Sequence, residues 1–191
     1  MVWQPESSGV RRLFEENFAR HPSAQSARDL GVFLLKEGDR TGARRALREA
    51  LRLEEGTSGA SSPRALEDAA TLAQVSAPAD AEPLLRRAAE SPDPSVAGPS
   101  LSSLGTLRKT AGDRTGAAAF YRRAVTKAEA IEGRNGRTVA VLLMQLAGVA
   151  DRPEATASLQ RAVAIDRQAL GPQHPQTKAA ERALSALTAA R

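Results

Sequence analysis

Cysteine is absent from this 191-residue chain, so neither a disulfide framework nor a thiolate metal site is open to it. Histidine is almost absent as well. The two present, His21 and His174, each stand directly before a proline, where they read as turn residues; so far apart in the chain, they make a His-based zinc site improbable. Aromatic residues make up only 3%, with one Trp, one Tyr and four Phe, too few for the stacked base platforms that RNA binding draws on. No apolar run approaches the roughly 18–20 residues of a membrane span. The opening residues Met1-Val2-Trp3-Gln4-Pro5-Glu6 lack the basic segment and apolar stretch of a signal peptide. These absences point to a soluble chain, favour the cytoplasm, and give no cofactor, metal or membrane partner.

What remains is alanine, leucine and arginine. Hydrophobic residues reach 41%, and with so few aromatics the core must rest on Ala, Leu and Val. Small side chains of this kind suit closely packed helices and poorly suit a β-sandwich. The formal charge is +5, from 27 basic residues facing 22 acidic ones, and only four of the 27 are lysine. An excess of that size admits an acidic partner, but compositional bias toward Arg and Ala accounts for much of it.

Organisation appears in a duplication. Gly-Asp-Arg-Thr-Gly-Ala occurs at 38–43 and again at 112–117. Half of that offset is about the length of a two-helix repeat. Aligned on the alanine that ends the motif, Ala43, Ala81, Ala117 and Ala155 fall in register. Four residues on stand Leu47, Leu85, Tyr121 and Leu159, and seven on stand Ala50, Ala88, Ala124 and Ala162. Spacings of four and seven place all three on one helix face. Asp39, Asp113 and Asp151 precede that face and read as N-caps; the second repeat has Ala77-Pro78 there, with proline opening the helix. Upstream, Leu30-Gly31 and Leu104-Gly105 mark a partner helix whose glycine permits close contact.

These residues resemble the tetratricopeptide repeat (TPR), whose signature is a large residue, Leu-Gly, a bulky residue, then Ala, a large residue and Ala. The resemblance covers four repeats. It implies an all-α, right-handed superhelical solenoid of helix-turn-helix hairpins. We divide the chain into an N-terminal capping helix or trailing half-repeat over 1–22, four repeats over 23–174 and a C-terminal capping helix over 175–191. The spacing exceeds the usual repeat length, and extra linker material falls at Gly56–Ser62 and Ser91–Ser100. Leu170-Gly171-Pro172-Gln173-His174-Pro175 is similar to the joint of the longer repeats of kinesin light chains and many bacterial regulators, with His21-Pro22 and Asp93-Pro94 as partial copies. Helices are expected near 8–20, 23–37, 40–55, 63–75, 79–90, 95–111, 114–132, 137–150, 152–170 and 175–190.

Nothing in the sequence supports an enzyme. Glu15-Glu16 and Glu54-Glu55 diverge on a helix, and Gly133-Arg134-Asn135-Gly136-Arg137-Thr138 lacks the ending of a phosphate loop and follows a helix instead of a strand. The resemblance implies a protein-interaction scaffold whose first helices line a concave groove. Carried over by position, that groove takes Arg28, Val32, Leu35 and Lys36 from repeat one, and Gln74, with Leu66, Ala70 and Ala73, from repeat two. Repeat three gives Ser102, Thr106 and Lys109, and repeat four Arg137, Ala140 and Met144. The two-carboxylate clamp of some relatives is incomplete, because Val32, Pro99 and Ser103 replace its polar members. The expected partner is a protein or peptide with some acidic character. A nucleic-acid module using Arg44, Arg45, Arg48, Arg86, Arg87, Arg122, Arg123 and Arg161, or self-association through an end of the stack, are the competing readings.

Overall fold

Most helices of this chain begin at a small polar residue whose side chain takes up a free amide, or at a proline that has no amide to satisfy, and most end at glycine or a short turn. The computed structural model describes residues 6–189; the opening segment 1–5, read above for a signal peptide, lies outside them. Among the described residues all regular structure is helical: α1 (Glu6–Arg20), α2 (Ala24–Lys36), α3 (Arg40–Ser58), α4 (Pro63–Val75), α5 (Pro78–Ala88), α6 (Pro94–Thr110), α7 (Arg114–Glu132), α8 (Arg137–Ala147), α9 (Arg152–Leu170) and α10 (Pro175–Ala189). No helix among the described residues is long and apolar enough to cross a membrane.

The chain forms two compact units, Met1–Ser91 and Pro92–Arg191. In the first, α2 pairs with α3 and α4 with α5, while α1 packs on α2 and α3 on α4. In the second, α6 pairs with α7 and α8 with α9, α7 packs on α8, and α10 packs on α9. Two of the expected linkers are partly helical. Helix α3 continues to Ser58, and α6 already begins at Pro94 because Asp93 caps it and proline suits its first turn. Helix α8 stops at Ala147, short of the expected 150.

The duplicated hexapeptide is one turn with one job for each residue. Gly38 and Gly112 adopt φ of 84° and 80°, a left-handed conformation that favours glycine and ends the first helix. Asp39 and Asp113 then accept from the amides of Gly42 and Gly116 at 2.8 and 2.7 Å, and Asp151 accepts from Glu154 at 3.0 Å. The Gly42 amide, helped by Arg11, holds the Asp39 carboxyl below its ordinary range. Ala77 makes no side-chain cap and is followed by Pro78, as its sequence implies.

The alanine–large–alanine face forms the core of every hairpin. All twelve of its residues are buried, with Tyr121 at 2% and Leu47 at 0% exposure. The glycines of the partner helix explain how the large residues fit. A Cβ on Gly31 would sit 2.7 Å from the Leu47 side chain, and one on Gly105 would sit 2.7 Å from the Tyr121 ring. The unit-one core joins Leu47, Leu51, Ala65, Ala69, Leu72 and Val75, with a second cluster around Leu30, Leu34, Ala43 and Ala46 against which Phe14 and Phe18 of α1 pack.

Candidate functional site

In the second unit the first helices leave an opening between them. Small or unbranched residues on α6 (Ser95, Gly98, Pro99, Ser102) face Val141, Leu142 and Gln145 of α8, and the last turn of α7 closes the floor. The resulting groove has a volume of about 390 Å³ and a largely apolar lining. Ile131 and Val141 stand in it at 56% and 42% exposure. Aliphatic side chains are common enough at surfaces singly, but two facing one groove are not scattered. Ser102 donates to Gln145 at 3.1 Å, a bridge from α6 to α8. A second cavity of about 510 Å³ shares Glu132, Thr138 and Val141 and adds Arg137 and Gln176.

Glu132 stabilises this corner in a way its sequence position does not announce. Gly136, the cap residue of α8, has no side chain to offer. The Glu132 carboxylate, from the end of α7, accepts from the Thr138 amide at 2.9 Å and from the Thr138 hydroxyl instead. The acid is thereby committed to a helix N-terminus, where negative charge is favoured. The glycine-bearing stretch 133–136 is a turn, with Gly133 at φ 75°.

Behind Gln176 lies Asp166, fully buried. Its Oδ1 accepts from Gln176 Nε2 at 3.0 Å, while Oδ2 has no hydrogen-bond partner. Burial pushes this carboxyl above its ordinary range, with Gln176, His174 and Arg137 pulling it partly back. A raised native pKa means the folded chain holds a proton that the unfolded chain has released. Stability therefore falls as pH rises from the unfolded value through the native one, and the loss is complete above it. Asp166→Asn removes the titrating group and should flatten that acidic-range slope. Urea unfolding across pH 4–8 measures it; a variant that keeps the native pH dependence would contradict the assignment.

The structure treats the position-matched residues of the first unit differently. Arg28 is largely covered, and its guanidinium forms a two-pronged ion pair with Asp68 at 2.6 and 2.8 Å, with Glu54 at 3.6 Å. Asp68 itself is 1% exposed. Leu35 is half-buried against both core clusters, whereas Val32, Lys36 and Gln74 are exposed. Leu66, Ala73 and Ala140 are core residues at 5%, 6% and 0% exposure, so they line no groove. In the second unit Ser102 borders the opening. Thr106 shares a hydrogen bond with the buried Tyr121 hydroxyl at 3.1 Å, Lys109 is exposed, Met144 is half-buried, and Arg137 borders the second cavity.

Sequence position singled out Ser102 and Arg137 but missed Ile131, Val141 and Glu132. Ile131 belongs to a second helix, where groove positions matched from first helices do not reach; its apolar character at a helix end is the sequence signal for it. Of the second-helix arginines named above, four form ion pairs: Arg86 with Glu82, Arg87 with Glu55, Arg122 with Glu154, and Arg161 with Glu129. Among the described residues no group of three or more His, Asp or Glu side chains is arranged to hold a metal ion.

Capped helical hairpins in register, each with small residues where its helices meet, define the class: a helical-repeat protein. Residues 23–64 match the tetratricopeptide repeat family, so α2, α3 and the linker to α4 are one such repeat. The chain as a whole has the tetratricopeptide-repeat fold of the kinesin-light-chain-like type. It is similar to BtubC (BKLC) from P. vanneervenii, at 17% identity and TM-score 0.73, over 96% of this chain and 80% of that one. A putative kinesin light chain from Podosopora anserina with nearly identical TPR-like repeats is similar at 19% identity and TM-score 0.67, over 86% and 85%. MamA follows at 15% identity and TM-score 0.62, over 88% and 87%. No curated protein matches the chain by sequence.

Proposed function

We propose that the chain is a non-enzymatic protein-interaction scaffold and that the second unit holds a peptide segment of its partner between α6 and α8. The observation that carries this reading is the apolar groove with Ile131 and Val141 open to solvent in it. An aliphatic or aromatic anchor of the partner would gain the burial of both. Ser95, Ser102 and Gln145 border the groove with hydrogen-bonding groups that suit a peptide backbone. Arg137 on one side and Lys109 toward the other end of α6 add positive charge, while Glu132 is already engaged, which favours a partner segment with some acidic character. Val32, Lys36 and Gln74 present a smaller polar–apolar surface on the first unit. Arg28 contributes nothing there, since Asp68 holds it.

Peptides selected from a displayed random library against the whole chain provide the test. Because Ile131 and Val141 are exposed, Ile131→Glu/Val141→Glu should leave the helical spectrum intact and weaken a selected peptide by about tenfold or more, the equivalent of two lost apolar contacts. Selected peptides that bind this variant as well as the native chain would place the binding surface elsewhere.

A further inference from the structure

One basic surface stays uncompensated. On α3, Arg40, Arg44, Arg48 and Arg52 follow one another at intervals of four residues, with Arg45 beside them. On a helix this row forms a ridge, its guanidinium-bearing positions about 6 Å apart over about 18 Å. Arg40 donates to the carbonyl of Gln74 at 3.1 Å, and Arg52 is held by Glu49 at 2.6 Å. Arg44, Arg45 and Arg48 make no ion pair and no side-chain hydrogen bond among the described residues. Arg45 adds only a through-space pull on Asp39, which already caps α3 and pairs with Arg11, and the acids lining a cavity with Arg45 are taken: Glu15 pairs with Arg11 and Glu49 with Arg52.

Like charges four residues apart on a helix repel. The chain answers such charges on α5, α7 and α9 with an acid on the same or a neighbouring helix. On α3 it leaves Arg44 and Arg48 unanswered in the row, half-buried and exposed in turn, with the exposed Arg45 beside them. Local conflict of this kind, retained where relief by one Glu is available, marks a surface built for something other than stability.

We propose that the α3 ridge is a second docking surface, distinct from the α6–α8 groove, and that its partner is an acidic helix carrying carboxylates at four-residue intervals. The charge pattern argues for that occupant. Carboxylates spaced i, i+4 on a partner helix repeat at the same rise as the arginines, so each meets a guanidinium in the strong two-pronged geometry. Nucleic acid fits less well. Three free arginines fall short of the roughly 6–10 phosphate contacts that give nucleic-acid binding its affinity, and the ridge carries no aromatic side chain for base stacking.

The test uses the full chain and three labelled probes in fluorescence anisotropy at near-physiological salt. One is an alanine-based helical peptide with glutamates at successive i, i+4 positions, one has the same composition with the glutamates spread around the helix, and one is a duplex DNA of matched charge. Arg44→Glu/Arg48→Glu removes the ridge, and Arg134→Glu/Arg182→Glu makes the same change of net charge elsewhere. We expect the aligned peptide to bind about tenfold tighter than the spread one. The ridge variant should lose that advantage by about tenfold, and the control variant should change by less than about twofold. Charge reversal turns the i, i+4 repulsion with Arg40 and with Arg52 into attraction while positions 44 and 48 still repel each other, so the ridge variant should melt no lower than the native chain; Arg44→Gln/Arg48→Gln gives the same reading with no new charge. Equal binding of the two peptides, or equal loss in both variants, reduces the ridge to unspecific charge and overturns the proposal. Tighter binding of the duplex, lost with the ridge, overturns it in favour of nucleic acid.

Discussion

Arg28→Ala should cost the first unit about 3 kcal/mol, because it strands a carboxylate the fold has already buried. Asp68 is 1% exposed, and both of its oxygens accept from the Arg28 guanidinium. Without the arginine, the acid stays in the interface of α2, α3 and α4 with Glu54 close by and no cation. The bond to Asp68 is also the main reason the Arg28 pKa is raised. Urea unfolding followed by helical ellipticity measures the loss as a shift of the midpoint at unchanged slope. The pair is not itself a large source of stability. Arg28→Met with Asp68→Leu should return to within about 1 kcal/mol of the native chain, since apolar replacement of a buried ion pair is often neutral. A single variant as stable as the native chain would show that water reaches Asp68 and that Arg28 is free to serve a partner after all.

Tyr121→Ala should be at least as damaging in the second unit, at about 3–5 kcal/mol. Tyr121 is the largest fully buried side chain, and its ring rests on the open face of Gly105. Its removal leaves a cavity between α6 and α7 that glycine cannot fill. Tyr121→Phe keeps the ring and loses only the hydroxyl contact with Thr106, for about 1 kcal/mol. The two variants separate packing from hydrogen bonding, and thermal melts of both report the difference. A function follows from the same contact. Helix α6 forms one wall of the groove and α7 its floor, so Tyr121→Ala should weaken a groove-bound peptide at temperatures where the unit is still folded, while Tyr121→Phe should not. An alanine variant that costs as little as phenylalanine would mean the hairpin collapses onto the vacancy.

Much of this architecture follows from local chemistry and was legible without coordinates. The three capping aspartates, the proline start of α5, the glycine turns and the alanine–large–alanine face depend on residues within one or two helical turns of each other. Backbone hydrogen bonding and helix periodicity are fixed over that distance, so spacing alone identifies them. The Leu-Gly positions were legible for a related reason: a residue without a side chain inside an apolar stripe implies a close neighbour.

The groove was legible only as a list of helix positions. Position in a repeat states which face of a first helix a residue occupies, but it does not state what stands opposite. For Arg28 the opposite group is Asp68, forty residues away, and the pair turns a candidate binding residue into an internal brace. For Glu132 it is the uncapped start of α8, and for Ile131 it is an opening lined across from it by Gly98, Pro99 and Ser102 of α6. The sequence by itself determined the helices, the aspartate and proline starts of four of them, their pairing into hairpins and the faces that pack. Only the tertiary structure decided which charges are neutralised and which apolar side chains stay open. Charge pairing and solvent exposure are set by groups brought together from distant parts of the chain, and one-dimensional spacing holds no record of those distances.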